Sequence, residues 1–220
     1  MNLRGKTVVF LGDSITEGAA VSSPEKIYLN VAARELGLGK AVNAGLSGTR
    51  IARQVKPSEP ASFDEDFNKR ADALSERADL VVVFGGTNDY GHGDAPFGNL
   101  SDDTADTYCG ACRRLFSVLT EKYGSGRVAA VTPMLRTDIT AAKNGKTLAD
   151  YAAALRVIAG EFGVPVLDMQ KDRALDPRTE EGAVLFVDGL HPNDAGNQIL
   201  GEVIAEFLRS LPEPACPPAK

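Results

Sequence analysis

The chain has 220 residues, 43% hydrophobic and 25% charged, which is enough apolar material for a sizeable core and excludes a disordered or fibrous composition. Its formal net charge of −6, with charges of both signs interspersed, excludes binding that depends on a basic surface, so no nucleic-acid partner is expected. No apolar run approaches the roughly 20 residues of a membrane-spanning helix, so no membrane partner is expected either.

From the N-terminus, Met1–Lys6 lead at once into a first strand at Thr7–Leu11. That leaves no room for a signal peptide and points to a cytoplasmic protein. A helical pattern at Ile27–Leu36 is followed by a strand at Ala41–Asn43. The polar stretch 53–70 reads as an exposed loop, overlapping a helical pattern at Phe67–Arg77. Then come a strand at Leu80–Phe84, a helix at Asp103–Tyr123, a strand at Val128–Thr132 and a helix at Leu148–Phe162. A strand at Val166–Asp168 and a helix at Asp194–Leu211 complete the pattern. Residues 1–211 read as one domain, and the Pro-rich tail 212–220 as a disordered terminus.

The strands are continuously apolar rather than alternating, as happens when helices cover both faces of a sheet. Strand–helix alternation with right-handed crossovers predicts an α/β fold, a flavodoxin-like three-layer α/β/α sandwich on a five-stranded parallel sheet ordered 2-1-3-4-5. In that order the carboxyl ends of strands one and three flank a topological switch point, where such folds bind ligands. Of three cysteines, Cys109 and Cys112 form a C-x-x-C. It lies inside a helical pattern with no histidine or second pair beside it, so both read as small core residues and not as a metal or redox site. Cys216 falls in the tail. No heptad or long apolar face marks an interface, so the oligomeric state is unreadable.

The chemistry gathers where the strands end. Gly12-Asp13-Ser14 follows the first, "NAGLSGTR" (43–50) the second, "GGTNDYGHG" (85–93) the third, "TPMLRTD" (132–138) the fourth, and a long loop with "VDGLHPND" (187–194) the fifth. Glycines, small polar residues and both histidines of the chain fall at one end of the sheet. A serine hydroxyl needs a base to become a nucleophile, and histidine is the usual one. His191 stands three residues after Asp188, so that carboxylate can orient the imidazole while its other nitrogen takes the proton of Ser14. The backbone N–H groups of Ser14 and Gly48 and the side-chain amide of Asn88 are candidate donors to an oxyanion, with Gly45 a competitor for the glycine.

Each residue alone has an ordinary reading. Ser14 or Asp13 reads as a helix cap, Gly48 as a permissive backbone position, Asn88 as a turn former, Asp188 as a loop residue, and His191 as a lead into a helix capped by Asn193 or Asp194. Their succession at strand ends is what selects the catalytic reading. That order, Gly-Asp-Ser, Ser-Gly, Gly-Thr-Asn-Asp and Asp-x-x-His-Pro-Asn, resembles the SGNH (GDSL-type) esterases and lipases over nearly the whole chain. The resemblance implies Ser14 as nucleophile, Gly48 and Asn88 as oxyanion donors, and Asp188 and His191 as acid and base. Two departures stand out: Ile15 replaces a leucine, and Thr49-Arg50 follows the second-block glycine.

Further candidate substrate contacts are Asp13, Tyr90, His92 and Arg136; His92 has Asp89 and Asp94 nearby as a rival dyad, and Arg50 and Arg136 are candidate anion binders. The expected function is hydrolysis of small, short-chain esters, possible carbohydrate O-acetyl groups included, with a small-molecule ester as the partner and no metal or organic cofactor. Within the family a lipase, thioesterase or arylesterase is open. Outside it, the alternative is a non-catalytic flavodoxin-like module that holds a ligand at the switch point; a receiver domain is shorter and has no use for the "DGLH" loop.

Overall fold

The computed structural model describes residues 1–74, 77–138 and 144–214. Its strands are β1 (Thr7–Gly12), β2 (Lys40–Gly45), β3 (Leu80–Phe84), β4 (Val128–Val131) and β5 (Val166–Leu167). They form one parallel sheet in the expected order β2-β1-β3-β4-β5. The helices are α1 (Ser14–Glu17), α2 (Tyr28–Leu36), α3 (Phe67–Ala73), α4 (Thr87–Gly91), α5 (Tyr108–Tyr123), α6 (Leu148–Glu161), α7 (Glu180–Ala183) and α8 (Asp194–Ser210).

Both faces of the sheet are covered, which explains the unbroken apolar runs. Successive side chains of a strand point to opposite faces. Val8 and Phe10 of β1 accordingly join Leu80, Val82 and Phe84 in a core closed by residues of α2 and α8. Val9 and Leu11 join Val81, Val83 and Ala130 in a second core closed by α3, α5 and α6. Each fully buried Val, Leu or Phe contributes about 1.5–3 kcal/mol, so the central strands are held firmly from both sides. The edge strand β2 departs from the expectation of full burial: its residues are half-buried or exposed, because it pairs with β1 alone.

Several predicted elements differ in length. Residues 103–107 of the predicted helix lie outside α5, because the Thr107 side chain accepts from Gly110 N–H and caps the helix there. The helix predicted at Phe67–Arg77 ends at Ala73, where Leu74 is extended, and residues 75 and 76 lie outside the described residues. The stretch 53–70 is not simply an exposed loop: Asp66, Phe67 and Asn68 are buried, and α3 begins within it. Strand β5 has only two residues, since Asp168 turns away to cap the next turn by accepting from Gln170 N–H. Cys109 and Cys112 are free and fully buried, and burial pushes both thiols above their ordinary range. Residues 215–220 of the tail, Cys216 included, lie outside the described residues, while Pro214 packs beside Gly126. Among the described residues no helix is long and apolar enough to cross a membrane.

The register aligns the ends that matter. Gly12 of β1 faces Gly45 of β2 on one side and Phe84 of β3 on the other. The segments beginning at Asp13, Leu46 and Gly85 therefore emerge together at one edge of the sheet.

Candidate active site

Strand β1 stops at Gly12 for a steric reason. A Cβ there would lie 1.9 Å from Thr16 Oγ1, so only glycine lets the chain fold straight into α1. Asp13 caps that helix by accepting from Ile15 N–H at 3.1 Å. Ser14 is thus the first helical residue and not the cap, and its hydroxyl is left for another partner. That partner is His191, whose Nε2 lies 2.9 Å from Ser14 Oγ. Ser14 is 7% exposed, so the pair sits at the floor of the site rather than on open surface.

The loop that presents His191 is closed on itself. Val187 N–H donates to His191 O, Phe186 bridges Pro192, and Asn193 caps α8 by accepting from Ala195 and Gly196 N–H. Inside the loop, Asp188 Oδ1 accepts from the N–H groups of Leu190 and His191. Its Oδ2 lies 2.7 Å from His191 Nδ1. Burial opposes ionisation of Asp188, but these hydrogen bonds and the imidazole beside it outweigh that and hold the carboxyl below the usual range. An ionised carboxylate can only accept, so Nδ1 carries the proton and Nε2 is left to accept from Ser14. The tautomer required of a general base is built into the turn.

Two backbone donors in the segments that follow β1 and β2 are unengaged. The N–H groups of Ser14 and Gly48 donate to no protein acceptor among the described residues. The competitor Gly45 is different: its N–H is engaged by Asn43 Oδ1 at 2.8 Å. Gly48 has φ +74°, and a Cβ added there would lie 2.2 Å from the Phe63 ring. Gly48→Ala therefore meets both backbone strain and a clash, and should lose about 1–3 kcal/mol of stability and lower kcat as its N–H moves. Parallel thermal melts and initial rates check this; a variant matching wild type in both contradicts it. Asn88 is buried, with Nδ2 donating to Thr49 O at 3.0 Å, which leaves its second amide hydrogen.

The 46–49 turn is tied to the serine helix directly. Leu46 N–H donates to Gly12 O, and Glu17 Oε2 accepts from both the N–H and the hydroxyl of Ser47. Neither Glu17 nor Phe63 stands out in the sequence, since an exposed glutamate and a lone aromatic in a polar stretch carry no pattern.

The remaining candidates separate into a buried layer and a rim. Asp13, at 2% exposure, and Tyr90, at 6%, belong to the buried layer, as Ser14 and Asn88 do. Tyr90 packs edge-on against Tyr151. Arg136, 9% exposed, donates from Nη1 to Thr87 O and Thr87 Oγ1 and so braces the turn that carries Asn88, while Nη2 lies 3.7 Å from Asp138. Arg50, 2% exposed, donates to Gly48 O and pairs with Asp64, again within the protein. His92 is exposed, with its ring 5.8 Å from that of Phe63 and Nδ1 within 3.5 Å of Arg50. The carboxylates offered as its rival partners anchor backbone instead: Asp89 accepts from Ile51 and Ala52 N–H, Asp94 from Val55 and Lys56 N–H.

Burial pushes Asp13 up to about 6, against the pull of Ile15 N–H, His191 and Arg70. The folded chain then keeps a proton that an unfolded aspartate loses near 3.8, so stability from this group falls as pH rises through that window. Asp13→Asn keeps the capping oxygen and never ionises. It should gain on wild type between about pH 4 and about pH 6 by roughly 1.4 kcal/mol per pH unit, then run parallel above. Denaturant melts across that range check it; curves parallel throughout contradict it.

No His/Cys/Asp/Glu cluster among the described residues has the makings of a metal site. No protein of curated function matches the sequence. Among solved structures, the chain is similar to a protein from Lactobacillus plantarum at 27% identity and TM-score 0.80, covering 94% of this chain and 98% of that one. It is similar to a possible lipase from Chitinophaga pinensis at 25% identity and TM-score 0.73, with 94% and 98% covered. An acetyl xylan esterase shares the fold at 22% identity and TM-score 0.65, with 92% and 99% covered. Residues 10–199 match a single hydrolase family from the middle of β1 into α8, spanning every strand end described above. With that match, the chain belongs to the GDSL-like lipase/acylhydrolase family.

Proposed function

We propose that this protein is a serine esterase that cleaves small esters of short acyl groups, O-acetyl groups on sugars among them, through an acyl-enzyme on Ser14. The observation that carries the reading is the continuous hydrogen-bonded chain from Ser14 Oγ through His191 to Asp188, at 2.9 and 2.7 Å.

In the first half-reaction His191 Nε2 takes the hydroxyl proton as Ser14 Oγ attacks the ester carbonyl carbon. The carbonyl oxygen becomes an oxyanion, received by the N–H groups of Ser14 and Gly48 and by the Asn88 amide. Such donors act because they already point where the charge develops. Asp188 stabilises the imidazolium, which then protonates the departing alcohol. In the second half-reaction His191 takes a proton from water, the hydroxide attacks the acyl carbon, and the proton returns to Ser14 as the carboxylic acid leaves.

Two features support a short acyl group. The Phe63 ring abuts Gly48, so space beside the oxyanion donors is filled. The described segments between strands are helices and turns packed along the sheet, none of which builds a separate lid.

Treatment with a fluorophosphonate tests the mechanism: one label per chain, on Ser14 and lost in Ser14→Ala, is expected, and absence of labelling in folded protein overturns it. A series of p-nitrophenyl esters from acetate to decanoate tests the acyl preference, with kcat/KM expected to fall as the chain lengthens. A rise toward decanoate would favour a lipase.

A further inference from the structure

Arg70 is the residue whose position the chemistry above leaves unused. It lies on α3, in the stretch that reads as loop from sequence, and its side chain runs beneath the carboxyl ends of β1 and β2. Nη1 donates to Gly12 O at 3.0 Å and to Ala44 O at 2.7 Å. Nη2 donates to Thr49 Oγ1 at 2.8 Å, and Nε to Glu65 O at 3.1 Å. The guanidinium also lies over the Phe67 ring, 4.6 Å from its centroid.

These partners are not scattered. Gly12 directly precedes Asp13-Ser14, while Ala44 and Thr49 bracket the turn that holds Gly48. One planar group therefore grips both backbone segments that supply unengaged N–H donors. Thr49 O is in turn the acceptor of Asn88 Nδ2, so the third candidate donor hangs from the same residue. We infer that Arg70 is a positioning residue for this reaction: it locks the Gly12–Ser14 turn to the Ala44–Thr49 turn so that the oxyanion donors converge on one point. The inference rests on the esterase reading above.

Arginine suits this place and lysine does not. A guanidinium offers five N–H donors in a fixed fork, whereas an ammonium is a point charge that cannot span four acceptors in a plane. Burial pulls the Arg70 pKa down to about 10, offset by Asp13 and neighbouring acids, which leaves it charged at neutral pH. Its positive charge then stands on the same side of the sheet edge as the developing oxyanion.

The test compares wild type with Arg70→Lys, Arg70→Gln, Thr49→Val and Thr49→Ser, each normalised to active sites titrated with a fluorophosphonate. The expected result is a fall in kcat per titrated site of about 10-fold or more for the Arg70 variants, with KM within about threefold. Affinity for a trifluoromethyl ketone, whose adduct places an oxyanion among the donors, should weaken in the same ratio as kcat/KM. Arg70→Lys should restore little, because charge without the fork does not hold the turns. If Arg70 merely supports the fold, the variants lose melting temperature and titratable fraction, but kcat per site and inhibitor affinity stay at wild-type level; that result overturns the inference. Should both Arg70 variants fail to fold, Thr49→Val and Thr49→Ser decide together, since valine removes the hydroxyl that accepts from Arg70 Nη2 and donates to Leu46 O, whereas serine keeps it: kcat lowered at unchanged KM in Thr49→Val and restored in Thr49→Ser supports the role, and any other pattern overturns it. Failure of wild type to label at Ser14 would instead remove the esterase reading itself.

Discussion

Ser14→Ala is expected to lower kcat by about 10⁴- to 10⁶-fold while leaving the fold intact. The side chain makes no capping bond, because Asp13 caps α1, and its hydroxyl is bonded to His191 alone. Removing it costs one partly buried hydrogen bond of about 1 kcal/mol, so the melting temperature should move little. The effect belongs to the chemistry. Residual turnover above water is expected, since the donors of Ser14, Gly48 and Asn88 still bind an oxyanion. Adding His191→Ala to Ser14→Ala should cost almost nothing more, because a base without its nucleophile has no proton to take. A double-mutant cycle in kcat checks this; two losses that multiply would mean the residues act separately.

Asp188→Asn should have the second largest effect, about 10²- to 10⁴-fold in kcat. The loop itself should survive, since an asparagine Oδ1 can still accept from Leu190 and His191 N–H. The damage is to the tautomer. An Asn amide nitrogen facing Nδ1 presents a donor to a donor, and the imidazole responds by moving its proton to Nε2. The nitrogen that must accept from Ser14 then carries hydrogen. The carboxylate side chain is 51% exposed, so water can partly replace it, and the loss should sit toward the lower end of that range. Asp188→Ala separates the two roles, losing both the tautomer and the loop bonds. Activity of Asp188→Asn at wild-type level would remove the orienting role.

The layout of the fold was legible because its signals are strong and repeated. Five apolar runs separated by amphipathic stretches permit few arrangements, and the burial of Val8–Leu11 on both faces is the physical reason for the pattern. Element ends were less legible. Thr107 and Leu74 decide where α5 begins and α3 stops through one capping bond and one extended residue, and neither is distinct in a run of similar residues. In the site, residues with unusual chemistry at strand ends could be named from sequence. Their supports could not. Arg70, Glu17 and Phe63 are ordinary residues of a polar stretch or an exposed helix end, and only the register Gly12↔Gly45 brings them to the turns they hold. Asp13, Tyr90 and Arg136 lie near the motifs in sequence, but that they are buried, with Asp13 capping α1 and Arg136 bonded to Thr87, is not visible there.

The central claim is an acyl-enzyme on Ser14. A rapid acid quench of the protein with p-nitrophenyl acetate, followed by peptide mass mapping, tests it most directly. The account predicts a burst of p-nitrophenol of about one per chain and a single acetyl group on the peptide containing Ser14, absent in Ser14→Ala. Turnover with no burst and no acetylated peptide, or an acetyl group carried on another residue, would contradict it.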